Sequence, residues 1–290
     1  MPTGSRVRGS GFGVQAVGGV RLLVLLMLML MLGGAAAASG SETKPPRVIA
    51  LAPHLAELAF AAGAGDTLVG TVAWSDYPAE AAALPVIGDA FRLDLERIMA
   101  LNPDLALAWT GGTPASAARR LEDIDIDVVW IAIRTLDDIA SSLVLLGDRL
   151  GQPARGRQAA KDYRSALSAR PIPPGPATRT VFYQVSKRPL YTLGGRHILT
   201  ELLPRCRARN LFADLDVEAA AVDYEAVLAR QPQVILAGAE PGQADTLERW
   251  RRDRSLLPEG ARLIEIDPDT LIRPTPRIID GIDRLCRLLR

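Results

Sequence analysis

The stretch Asp94–Ala108, DLERIMALNPDLALA, occurs a second time as Asp223–Ala237, DYEAVLARQPQVILA, at an offset of 129 residues. Asp94 then meets Asp223, Glu96 meets Glu225, Ala100 meets Ala229, Pro103 meets Pro232, and Leu107-Ala108 meets Leu236-Ala237. Ile98 with Val227, Met99 with Leu228 and Asn102 with Gln231 are conservative pairs. Each copy opens on an Asp where an N-cap belongs and continues as a short helix with apolar residues on one face. Proline then stops it, because it lacks the N–H and moves its predecessor out of the helical region. The apolar run that follows is short enough to be a buried parallel strand. Each copy therefore reads helix–turn–strand, and the chain reads as two similar α/β lobes. Two unrelated units matching by chance is the alternative, but cap, acid and proline all agree in register.

Working outward, 290 residues with 48% hydrophobic content and a net charge of +1 can bury one large core or two modest ones. No concentrated basic face is present, so nucleic-acid binding is not expected. The N-terminus is different. Arg6, Arg8 and Arg21 precede the apolar run Leu22–Leu32, and Ala35–Ala38 supplies small residues suited to cleavage. Residues 1–38 thus read as a secretory signal, too short in its apolar part for a membrane span. Its removal takes away three arginines and no acid, leaving a net charge of about −2. Export makes a disulfide between Cys206 and Cys286 one reading, with two buried thiols as the other.

Three further segments follow. Residues 46–134 alternate strand and helix patterns from Arg47–Ala52 to Val128–Ile133, giving the N-terminal lobe. Residues 135–170 open on a capping-box-like Thr135 and Asp138 and stay helical to about Ala169, with a break at Gly151-Gln152-Pro153. After the proline-rich Pro171–Pro176, residues 178–290 form the C-terminal lobe. Its last helix is expected to be capped by Thr275 and begun by Pro276. Two lobes joined by one long helical bridge leave a cleft between them, the usual place for a ligand.

Catalytic signatures are absent: no H-E-x-x-H, C-x-x-C, G-x-S-x-G or P-loop occurs. Gly63-Ala64-Gly65 follows a helix and precedes a strand, the wrong order for dinucleotide binding, so it reads as a helix C-cap. Of the two histidines, His54 at a strand end is either a loop residue or a cleft-lining one, and His197 reads as a loop residue. Two histidines are thin support for a metal site, and none is expected. A periplasmic enzyme would need a nucleophile–base pair, which is not visible.

The runs RVIALAPHLAELAFAAG, WSDYP, LERIMALNPDLALAWTGG, YEAVLARQPQVIL and DTLIRPTPRIIDGIDRLC carry a resemblance. Over residues 46–289 the chain resembles the periplasmic binding proteins of vitamin B12 and iron-chelate ABC importers, and within them the branch that binds cobalamin. The resemblance implies the helical-backbone periplasmic binding protein fold: two Rossmann-like α/β lobes joined by a long bridging helix. It also implies a monomeric carrier without a cofactor, holding cobalamin or another corrinoid and delivering it to an inner-membrane permease dimer with its ATPase subunits. The cysteine pair falls where that branch has a disulfide.

Residue by residue, Tyr77 and Trp109 match cleft-lining positions, as do Tyr191 and Asp269; Trp74 is near by position alone. Glu96 and Glu225 match glutamates that pair with permease arginines, although a Glu in a first helical turn also favours the helix dipole with no partner. There are departures. Where that branch carries cleft tryptophans this chain has Ala90, Ala219 and Thr270, with Phe91 standing in for part of the first wall. The alternative cargo is a ferric siderophore or haem, for which Arg92, Arg134, Arg188 and Arg273 are candidate contacts. A sensor or scaffold subunit is a further alternative.

Overall fold

The central strands are short apolar runs buried on both faces, whereas the edge strands Asp127–Ile131 and Ala219–Ala221 keep exposed residues. The computed structural model describes residue 9 and residues 44–89, 92–238 and 246–290. The rest of the expected leader, Ala90 and Phe91 lie outside the described residues. Strands β1 (Val48–Ala50), β2 (Leu68–Thr71), β3 (Leu105–Trp109) and β4 (Asp127–Ile131) form a parallel sheet in the order β2-β1-β3-β4. Helices α1 (Pro53–Ala61), α2 (Ala79–Ala82), α3 (Leu95–Leu101) and α4 (Ala115–Glu122) connect them.

The bridge resolves into two helices, α5 (Leu136–Arg149) and α6 (Pro153–Ser168). Thr135 and Asp138 make the expected capping box at the start of α5. The two helices pack at Gly147 and Gly156, where an added Cβ at Gly147 would sit 2.7 Å from the Gly156 Cα. Only glycine permits that approach. Asp137 of α5 and Arg164 of α6 pair at 2.7 Å.

The second lobe has β5 (Arg179–Lys187), β6 (Leu190–Leu193), α7 (Ile198–Leu202), β7 (Ala208–Asn210), β8 (Ala219–Ala221), α8 (Tyr224–Ala229) and β9 (Val234–Gly238). It closes with α9 (Glu248–Arg252), β10 (Arg262–Ile266), α10 (Pro268–Leu271) and α11 (Ile278–Leu289). Its parallel quartet β7-β5-β9-β10 repeats the first sheet's order, and the antiparallel strands β6 and β8 are added at one edge.

The duplication extends to single hydrogen bonds. Asp104 accepts from the Arg47 N–H at 2.7 Å, and Gln233, its counterpart, accepts from the Thr180 N–H at 2.8 Å. Before each proline the chain turns left-handed, φ being 45° at Asn102 and 52° at Gln231. Leu105 then pairs with Val48, and Val234 with Val181. The copies differ at their caps. Asp94 accepts from the Arg97 N–H at 3.0 Å, whereas the Asp223 side chain makes no cap bond. Thr275 also departs from expectation: among the described residues its hydroxyl has no partner, and its carbonyl, not its side chain, receives the Ile278 N–H.

Side-chain alternation sorts the core into three parts. Ile49, Ala106 and Ile98 face one outer core; Phe182, Ile235 and Val227 face the other. Val48, Leu107, Val181 and Leu236 face inward, onto one continuous core that also takes Ile139, Leu143 and Leu146 of α5. α11 joins this core through Ile278, Ile282 and Leu285, each contributing up to about 2–3 kcal/mol by burial. The disulfide between Cys206 and Cys286 ties α11 to the turn after α7.

Candidate functional site

A parallel sheet sends its loops out at the carboxyl ends of the strands, and there the two lobes face each other. A cavity of about 540 Å³ opens between them. The first lobe supplies His54 after β1, Trp109 and Gly111 at the end of β3, and Ile133 after β4. The second supplies Leu193 at the end of β6, Arg196, His197 and Ile198 at the start of α7, and Glu218-Ala219 entering β8. Ile272, Arg273 and Pro274 close it from the segment before α11.

Trp109 stands half-buried as the aromatic wall. Its N–H donates to the Thr113 hydroxyl at 2.9 Å, which closes the turn. Gly111 and Gly112 pass so close to the indole that a Cβ on either would come within 2.7 Å and 2.3 Å of ring atoms. His54 meets the ring edge-on, with centroids 5.0 Å apart. Burial, aided by the Arg273 charge, lowers the His54 pKa to about 3, so the ring is neutral. Its Nε2 is enclosed and without a partner among the described residues. His197 caps α7, its Nδ1 accepting from the Leu199 N–H at 3.1 Å, and burial lowers its pKa to about 4.

The arginines of the cleft are tied down. Arg196 pairs with Asp216 at two points, both 2.6 Å. Arg273 reaches across the seam to Asp76 at 2.7 Å and back to Asp269 at 2.8 Å. Burial pushes the Asp269 carboxyl above the usual carboxylate range, against the pull of Arg273. Among the described residues, no three His, Cys, Asp or Glu side chains gather as metal ligands would.

The residues picked out by sequence fall in several places. Trp109 is in the cleft wall, and Asp269 supports Arg273 at its edge. Tyr77 lies under the Arg277 guanidinium, 4.0 Å from ring centroid to carbon, and lines a neighbouring hollow with Phe60 and Pro276. Tyr191 on β6 and Trp74 are exposed and are not part of the cavity wall. Phe91 lies outside the described residues. Ala219 does line the cleft. Glu96 and Glu225 are exposed in the first turns of α3 and α8. Sequence reading missed Arg196, His197 and Glu218. The available signal was Gly194-Gly195, a tight turn that delivers the next residues to a helix start.

A family profile of periplasmic binding proteins matches residues 48–254. The chain is 34% identical to the vitamin B12-binding protein of Vibrio parahaemolyticus over 242 residues, 83% of this chain and 88% of that one. It resembles the solved periplasmic vitamin B12-binding protein of Vibrio cholerae with a TM-score of 0.73 and 32% identity, over 84% of this chain and 96% of that one. A periplasmic haem-binding protein of Pseudomonas aeruginosa is similar at TM-score 0.70 and 25% identity, over 85% and 93%.

Proposed function

Because the chain belongs to the periplasmic binding protein family, we propose that it is the solute-binding subunit of an ABC importer with cobalamin or a related corrinoid as cargo. Residues 1–38 would direct export to the periplasm, an oxidising compartment in keeping with the Cys206–Cys286 bridge. The mechanism is capture and delivery, with no bond made or broken. Glu96 and Glu225, exposed on the duplicated helices, are the groups that would meet the permease dimer and its ATPase subunits.

The observation that carries the cargo assignment is the composition of the cleft. Trp109, Ile133, Leu193 and Ile198 give a flat guest an apolar and aromatic bed. The two cleft arginines already have carboxylate partners, Asp216 for Arg196 and Asp76 with Asp269 for Arg273. Neutral amides around the guest's rim fit such a wall better than free carboxylates, which would need unpaired cations. Haem and ferric siderophores are the second reading, supported by the haem-binding relative of known structure.

Calorimetric titration of the mature chain with cyanocobalamin, a second corrinoid, haem and a ferric siderophore tests the assignment. Saturable binding of a corrinoid is expected. Binding of an iron complex with none of either corrinoid would overturn it.

A further inference from the structure

His197 stands at the foot of α7 on the second-lobe wall of the cleft. Its two ring nitrogens have different duties. Nδ1 accepts the Leu199 N–H at 3.1 Å, as an N-cap side chain does. A neutral imidazole that accepts at one nitrogen carries its proton on the other. Nε2 therefore bears the hydrogen and has no lone pair for a metal ion. Among the described residues, the ring makes no hydrogen bond besides the one from Leu199. The other ionisable side chains of the wall are His54, Arg196, Glu218 and Arg273. His54 is neutral, both arginines are held by carboxylates, and Glu218 offers acceptors.

We propose that His197 fixes the orientation of the bound guest by donating its Nε2–H to a neutral oxygen on the guest's rim, and that it does not bond to the guest's metal. This rests on the functional reading above and narrows it. The cargo is an amide-fringed metal macrocycle that brings its own axial ligands, and the helix cap sets the donor's tautomer before the guest arrives.

Two substitutions separate the duties of the ring. His197→Asn keeps an oxygen that can accept from Leu199 but cannot reach the cleft. His197→Gln keeps a donor near the Nε2 position but loses the cap. Cyanocobalamin titration is expected to show roughly tenfold weaker binding for the Asn variant and a change within about twofold for the Gln variant. Melting curves should rank them the other way, with Asn close to the parent and Gln below it. Affinity of the parent should stay flat from pH 7.5 to 5.5, since burial keeps the ring neutral there. Bound aquocobalamin should keep its free visible spectrum in both parent and Asn variant. Unchanged affinity in the Asn variant would overturn the proposal, as would an affinity inflection near pH 6.5. So would a band shift on binding that the Asn variant abolishes. If the parent binds neither corrinoid, the functional reading falls and this assignment with it.

Discussion

The guanidinium of Arg277 grips the carboxylate of Glu57 at two points across the seam between the lobes, Nε to Oε1 at 2.8 Å and Nη2 to Oε2 at 2.7 Å. Glu57 sits on α1 of the first lobe and is only 3% exposed. Arg277 immediately precedes α11 of the second lobe and also covers the Tyr77 ring. Hydrogen bonding to Glu57 raises the Arg277 pKa further above its already high range.

Removing one member of this pair strands a buried charge. Arg277→Met is expected to cost about 3–5 kcal/mol in urea unfolding, and the double variant Glu57→Leu with Arg277→Met to recover most of it. A loss under about 1 kcal/mol for the single variant would mean that the seam is wet and the clamp weak.

Among the described residues, Trp109 is the one large aromatic of the cleft wall, held by Thr113 and crowded by Gly111 and Gly112. Trp109→Ala should weaken corrinoid binding by about 2 kcal/mol, roughly thirtyfold, in the same titration. Equal affinity would place the guest elsewhere.

Glu96→Lys with Glu225→Lys should leave the dissociation constant unchanged, because both side chains are exposed and neither lines the cavity. If the two glutamates dock onto the permease, uptake in cells should be abolished by the reversed charges. Normal uptake by the double variant would remove both residues from the docking face.

The Cys206–Cys286 bridge closes a loop of 80 residues. Replacing both cysteines by Ala should lower stability by about 2–5 kcal/mol. Ligand affinity should survive, because the bridge joins the turn after α7 to α11 and neither sulfur lines the cleft. Equal unfolding midpoints for reduced and oxidised protein would contradict this.

Both histidines titrate below their ordinary value of 6.5, His54 near 3 and His197 near 4. The unfolded chain therefore takes up protons that the folded chain refuses, and stability falls as pH drops from about 6.5 toward 4. Each histidine can contribute a slope of up to about 1.4 kcal/mol per pH unit in that window. Urea midpoints at pH 7.5, 6 and 5 measure it, and His54→Gln should make the slope shallower. A flat profile would mean that neither ring is shielded from water.

The duplicated stretch made α3, β3, α8 and β9 legible because proline, acid and apolar run recur together. Strand β8 was not legible: Ala219–Ala221 has no alternation, and its pairing with β6 is decided by the edge it meets. Asp223 matched Asp94 in sequence but not in bonding, since a cap depends on backbone angles that identity does not fix. Trp109 was placed in the cleft by its match to the cobalamin-binding branch, and it does line the cavity. His197 was passed over because its role needs two lobes to face each other, which no local pattern records. Tyr191 was placed in the cleft by likeness, whereas its neighbour Leu193 lines it.

One buried core runs through both sheets and α5 without interruption. Empty and loaded carriers would then present nearly the same silhouette, and the importer could not tell them apart by shape alone. Discrimination would fall to how hard the halves are to pry open. A guest touching both walls of the cavity would stiffen that joint, and its release would require work put into the seam.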